Sequence, residues 1–130
     1  MTDIKRVLED TRTIAIVGIS DNPSRPSNEV ARYLMPYFDI IPVNPRYDSV
    51  LGLKCYPDLE SIPVQVDMVD LFQRSENIPP FVRPAISIGA RYFWMQLGIS
   101  NADARNELIS AGITVIEDKC TKIEYARYCL

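Results

Sequence analysis

Residues Thr13 to Asn28 read Thr-Ile-Ala-Ile-Val-Gly-Ile-Ser-Asp-Asn-Pro-Ser-Arg-Pro-Ser-Asn. The apolar, β-branched run Thr13 to Val17, bounded by Gly18, predicts a strand buried on both faces. A polar loop carrying Arg25 follows it. Ser27, with Pro26 just before it, is placed to cap the next helix. A strand, a glycine turn and a helix N-terminus together form a corner that attracts anions, because the turn exposes backbone N–H groups and the helix dipole favours negative charge. The loop has one glycine where the dinucleotide fingerprint G-x-G-x-x-G has three. The stretch therefore suits a phosphate-bearing ligand and argues against an ordinary NAD site.

Outward from that stretch, strands and helices alternate. Ile4, Val7 and Leu8 share one face of a short leading helix. Val30, Ala31, Leu34, Met35 and Phe38 recur at helical spacing, and Ile40 to Val43 forms a second strand closed by Asn44-Pro45. A loop runs through Gly52, and Tyr56-Pro57-Asp58 reads as a short helical turn. Val66 to Phe72 is the third strand. Ile78 to Ile88 reads as mostly helical, with Pro79 and Pro80 in the first turn, where proline is tolerated, and with Pro84 as a kink or break. Tyr92 to Met95 is the fourth strand, Ala102 to Ser110 a helix stopped by Ala111-Gly112, and Ile113 to Ile116 the fifth strand. Thr121 to Leu130 is an amphipathic piece expected to cover a sheet face. The pattern predicts an α/β fold in three layers, a doubly wound parallel sheet of about five strands forming one domain across residues 1–130.

Composition narrows the function. The chain has 130 residues, a formal net charge of −3, 47% hydrophobic and 24% charged residues. That balance excludes the broadly basic face of a nucleic-acid binder, so an anion site has to be local. No apolar run approaches the roughly 20 residues of a membrane span. The first ten residues alternate charges instead of forming a signal-peptide core, so the cytoplasm is the expected location. Three cysteines, Cys55, Cys120 and Cys129, lack metal-ligand spacing, and the chain contains no histidine. Zinc and imidazole-based acid–base or nucleophile arrangements lose their usual ligand and base.

In open parallel sheets, ligands sit outside the C-terminal strand ends, where strand order reverses. The residues after each strand are therefore the candidates: Gly18-Ile19-Ser20, Asn44-Pro45-Arg46, Phe72-Gln73-Arg74, Gln96-Leu97-Gly98 and Glu117-Asp118. Gly18 permits close backbone approach, the N–H groups near Ser20 can meet a phosphate oxygen, and Arg25 can add a charge-assisted contact. A dinucleotide-binding domain would hold the ribose hydroxyls with an acid at the end of the second strand. Asp39 lies about 20 residues beyond Gly18, as that pattern asks, but it precedes the strand and sits at the wrong end. Asn44 and Arg46 hold the correct end and suit a sugar phosphate, as in NADP or the 3′-phosphate of coenzyme A. Phe72 can pack on an adenine or a pantetheine chain, or belong to the core, and Arg74 can reach a phosphate. Gln96 suits the amides of a pantetheine arm. Asp67 and Asp70 point to opposite faces of their strand, so they make no paired-carboxylate unit, and Asp70 is placed to orient a neighbouring loop. Trp94 reads as core, and Cys120 as a buried, inert thiol.

Val17-Gly18-Ile19-Ser20, Pro23-Ser24-Arg25-Pro26-Ser27, Pro42-Val43-Asn44-Pro45, Val66-Asp67, Trp94-Met95-Gln96-Leu97-Gly98-Ile99 and Asp118-Lys119-Cys120 occur in that order. As an ordered set they resemble the small stand-alone CoA-binding proteins related to the CoA-binding domain of the succinyl-CoA synthetase α subunit. The resemblance implies a Rossmann-type fold with CoA or acyl-CoA lying across the C-terminal strand ends. Its ligand-binding positions carry over to Gly18, Ile19, Ser20, Arg25, Pro26, Ser27, Asn44, Pro45, Arg46, Phe72, Arg74, Ile78 and Gln96. A synthetase α subunit has a second domain with a phosphorylated histidine. This chain has no histidine, and Glu124 is followed by Tyr125 where relatives often show one. The expectation is thus a cytoplasmic CoA or acyl-CoA binding protein without chemistry of its own, with no catalytic residue and no metal. An NADP-type reductase or ligase fragment is one alternative, and an acyl-CoA-sensing regulatory subunit of a larger enzyme is another. A protein partner or a homo-oligomer is compatible with each.

Overall fold

The computed structural model describes residues 2–130. Its central sheet has five parallel strands, β1 (Thr13–Val17), β2 (Asp39–Val43), β5 (Met68–Leu71), β6 (Tyr92–Met95) and β7 (Thr114–Ile116), in the order β2-β1-β5-β6-β7. Two short strands, β3 (Ser49–Val50) and β4 (Leu53–Lys54), form a separate antiparallel pair. The helices are α1 (Ile4–Asp10), α2 (Pro26–Leu34), α3 (Val82–Ser87), α4 (Ala102–Ser110) and α5 (Thr121–Cys129).

Alternation along β1 divides the core. Ile14 and Ile16 join Val7, Leu8, Val30, Leu34 and Trp94 on the face covered by α1, α2 and α5. Ala15 and Val17 join Val69, Leu71, Val82, Phe93 and Leu108 on the face covered by α3 and α4. Every residue of β1 and of β5 is buried, as central strands with helices on both sides require. Asp70 is the one acid in that dry layer.

At the amino edge of the sheet, Asp67 ties three segments together. Its carboxylate accepts from the Arg12 and Thr13 N–H groups at 2.9 and 3.0 Å and from Arg91 at 3.0 Å. Arg91 also reaches Asp10 at 2.7 Å. Burial pushes the Asp67 carboxyl up, but the two backbone donors and Arg91 outweigh it and hold the group below its ordinary range.

The structure corrects several expectations. The stretch Ile78 to Ile88 is not one helix: 3-10 turns at Ser75–Asn77 and Pro79–Phe81 precede a six-residue α3. Pro84 then falls in the first turn of α3, where a missing N–H leaves no intrahelical bond unmade. Tyr56 opens no helical turn and instead bridges in parallel to Val43. The loop through Gly52 is a hairpin, whose two tip residues Leu51 and Gly52 both take positive φ, 56° and 74°. That is the conformation two-residue hairpin turns need. The third strand, Met68–Leu71, is shorter than Val66 to Phe72, although the Asp67 and Phe72 N–H groups still bond to the Thr13 and Val17 carbonyls. Ser27 does not cap α2: Arg25 holds the cap position without a side-chain bond, Pro26 is at the start of the helix, and Ser27 lies inside it. No described helix is long and apolar enough to cross a membrane.

Candidate functional site

The chain leaves β1 toward β2 on one side, and β5 lies on the other, so strand order reverses between Val17 and Leu71. Gly18 has φ 84°, and its N–H continues the ladder to the Val43 carbonyl at 2.9 Å. A Cβ here would run into the Phe72 carbonyl oxygen and stand 2.7 Å from Gln73 Nε2. Glycine is therefore demanded twice, by the left-handed backbone and by the close approach of the next strand end.

A cleft of about 1030 Å³ opens over this edge. Of the thirteen positions expected from sequence, twelve line it. Gly18, Ile19, Ser20, Arg25, Pro26 and Ser27 come from the β1–α2 corner, and Asn44, Pro45 and Arg46 follow β2. Phe72 and Arg74 follow β5, and Gln96 follows β6. Ile78 is the exception. It is fully buried among Val82, Ala85, Phe93 and Leu108, because the 3-10 turn that carries it packs onto the sheet and not into the cleft.

The corner is organised by side chains that bond to backbone. The Ser20 N–H donates to Ser27 Oγ at 2.9 Å, and Asn28 Nδ2 donates to the Ser20 carbonyl at 2.9 Å. The Ser20 N–H itself is thereby occupied. The Ile19 N–H, by contrast, has no acceptor among the described residues. Asn44 pins the neighbouring loop: its Nδ2 donates to the Ile19 carbonyl and its Oδ1 accepts from the Arg46 N–H, each at 2.9 Å. Cys55 Sγ lies 3.4 Å from the Asn44 carbonyl. Burial raises that thiol's pKa.

The guanidinium groups of Arg25, Arg46 and Arg74 are exposed, and among the described residues none makes an ion pair or side-chain hydrogen bond. Three cations around one cleft, without anions of their own, leave a local positive field in a chain of net negative charge. The N-terminal end of α2 adds the positive end of its dipole at the same corner.

Beneath the cleft lies a buried polar cluster. Asp70 is fully buried; its Oδ1 accepts from Gln96 Nε2 at 2.5 Å and its Oδ2 from Thr121 Oγ at 3.0 Å. Gln96 Nε2 also reaches Thr121 Oγ at 2.9 Å. Both amide hydrogens of Gln96 are thus engaged below, so the group it offers to a ligand is its carbonyl oxygen, an acceptor. Burial drives the Asp70 pKa up to about 7, against the opposing pull of Gln96 and Thr121.

Asp39 begins β2, opposite Thr13, at the far end of the strand from the cleft. Trp94 is fully buried and donates to the Lys119 carbonyl at 2.7 Å. At the fifth strand end, Glu117 and Asp118 serve the loops: Glu117 accepts from the Asn101 N–H and Arg105, and Asp118 from the Gly98 N–H. Cys120 is half-buried on the cleft wall, and so less enclosed than expected. Gln73 and Leu97, named among the strand-end residues but not among the thirteen ligand-binding positions, also line the cleft. Phe81 and Ile123 carry no strand-end signal and reach the cleft only through packing of their segments.

A doubly wound parallel sheet with a ligand cleft at its reversal point is the class that fold and geometry define. The chain belongs to the CoA binding domain family, whose pattern it matches over residues 12–126. It is 38% identical over 125 residues to the protein YneT of Bacillus subtilis (strain 168), covering 95% of this chain and 93% of that one. A hypothetical protein from Pyrococcus horikoshii OT3 superposes with a TM-score of 0.95 at 37% identity, over 98% of this chain and 92% of that one. The ADP-forming acetate–CoA ligase I of Archaeoglobus fulgidus is 25% identical over 122 residues, which are 84% of this chain but 18% of the ligase. The chain is therefore homologous to one domain of such ligases.

Proposed function

We propose that this protein binds coenzyme A or an acyl-CoA in the cleft at the carboxyl edge of its sheet, and that it does so without chemistry of its own. The observation that carries the reading is the trio Arg25, Arg46 and Arg74, unpaired around one cleft. In this arrangement Arg46 meets the sugar phosphate, and Arg25 with the Ile19 N–H and the α2 N-terminus meets the pyrophosphate. Phe72 packs along the pantetheine arm, and the Gln96 oxygen accepts from one of its amide N–H groups. Membership of the CoA binding domain family supports the choice of ligand. Three free cysteines fit a reducing compartment, which favours the cytoplasm.

Thermal unfolding with and without CoA tests the proposal. CoA at a hundredfold excess over its Kd stabilises the native state by about 2.7 kcal/mol. Arg46→Glu is expected to remove most of that protection, and equal shifts in the two proteins would overturn the assignment. Calorimetric titration of NADPH beside CoA addresses the reductase reading, which uses the same cationic end. A clear preference for NADPH would replace the present proposal with it.

A further inference from the structure

The cleft is chemically graded from one end to the other. Near β1 and β2 its wall carries Arg25, Ser27, Asn44 and Arg46. After β6 and on α5 it carries Leu97, Ile99 and Ile123, while Arg74 and Phe81 follow β5. Leu97 is 65% exposed and Ile123 48% exposed, although both are large aliphatic side chains. They come from two separate elements, the loop after β6 and the first turn of α5. Phe81, just before α3, supplies a third apolar wall to the same cleft. Three segments thus bring apolar side chains to the lining of one cleft, unlike the scattered single hydrophobics of an ordinary surface.

Resting on the reading that the cleft takes CoA, we propose that this end is an acyl pocket, selective for a neutral aliphatic acyl thioester over free CoA. Adjacent strands lie about 4.8 Å apart, so β2 and β6, three spacings from each other, are separated by about 14 Å along the edge. A ligand with its sugar phosphate at Arg46 and its pantetheine arm over Phe72 and Gln96 delivers its sulfur to the Leu97 and Ile123 end. Past Gln96, the side chains of Leu97, Ile99, Cys120 and Ile123 are uncharged, and Arg74, after the neighbouring strand β5, is the cleft's cation on this side. An aliphatic chain there covers apolar surface that otherwise faces water, which is favourable in proportion to the area removed.

Calorimetric titration with CoA, acetyl-CoA, butyryl-CoA, hexanoyl-CoA and succinyl-CoA tests the pocket. Each methylene that becomes buried is expected to tighten binding by about fourfold, so hexanoyl-CoA binds at least tenfold tighter than CoA. In the double variant Leu97→Ser, Ile123→Ser, the ratio of hexanoyl-CoA to CoA affinity falls toward one. Both side chains are exposed, so the variant keeps its core, and a matched thermal unfolding curve verifies this. Binding of CoA without any gain along the series overturns the acyl pocket and leaves the CoA site standing. Tighter binding of succinyl-CoA than of hexanoyl-CoA also overturns it, as does an unchanged ratio in the variant. No binding of any of the five ligands removes the CoA reading itself.

Discussion

Gln96 Nε2 stands 2.5 Å from Asp70 Oδ1, a contact between the cleft wall and a carboxyl group with no exposure to solvent. Asp70 is raised to about 7 from 3.8 by burial, so the folded chain holds this proton more tightly than the unfolded chain does. The sign of the linkage follows: the native state is favoured by this group at low pH and loses that advantage as pH rises from about 4 to about 7. The full span corresponds to about 4 kcal/mol. Asp70→Asn, which keeps the size and can still bond to Gln96 and Thr121, is expected to flatten the dependence. Urea denaturation of both proteins at pH 5 and pH 8 reads the difference, and a parallel loss in the variant would assign the dependence elsewhere.

Gly18→Ala is expected to damage both fold and cleft. The left-handed backbone costs a side chain about 1–2 kcal/mol. The clash with the Phe72 carbonyl adds a similar overpacking term and pushes β1 and β5 apart at their ends. Thermal unfolding should show a loss of about 3 kcal/mol, with weakened CoA binding in the protein that remains folded.

Asp67→Ala should separate stability from binding. It leaves the Arg12 and Thr13 N–H groups without their acceptor, at a cost of about 2 kcal/mol. The clamp is at the amino edge of the sheet, opposite the cleft, so CoA affinity measured below the unfolding temperature should change by less than about twofold. This corresponds to under about 0.4 kcal/mol.

Asn44→Ala should lower stability and binding together. The side chain joins the Ile19 carbonyl to the Arg46 N–H and so fixes the spacing of two corners of the cleft. A stability loss of about 1 kcal/mol is expected, with CoA binding weakened by about tenfold. Calorimetry gives the second quantity and chemical denaturation the first.

The strand ends were legible because a buried parallel strand is a compact apolar run and its last residue is marked by a change to polar chemistry. Val17-Gly18, Val43-Asn44 and Met95-Gln96 all announce themselves in this way. The hairpin at Ser49–Lys54 did not, since strands of two residues have no room for alternation. The helix expected over Ile78 to Ile88 failed because three prolines, Pro79, Pro80 and Pro84, allow an early helical turn as readily as a 3-10 one. Register across the 3-10 segment then decided that Ile78 faces the core. Ser20 and Ser27 were both recognised as cleft residues, but their mutual hydrogen bond depends on how α2 docks. The apolar contributions of Phe81 and Ile123 depend on helix docking too, and no local pattern encodes that.

Tyr56 has a consequence for how copies of this molecule meet. Its N–H donates to the Pro42 carbonyl at 3.0 Å and its carbonyl accepts from the Asn44 N–H at 2.9 Å, on the outer margin of β2. Those are the groups an incoming strand from another chain would seek. With them occupied, an incoming strand finds no partner groups at this end of β2.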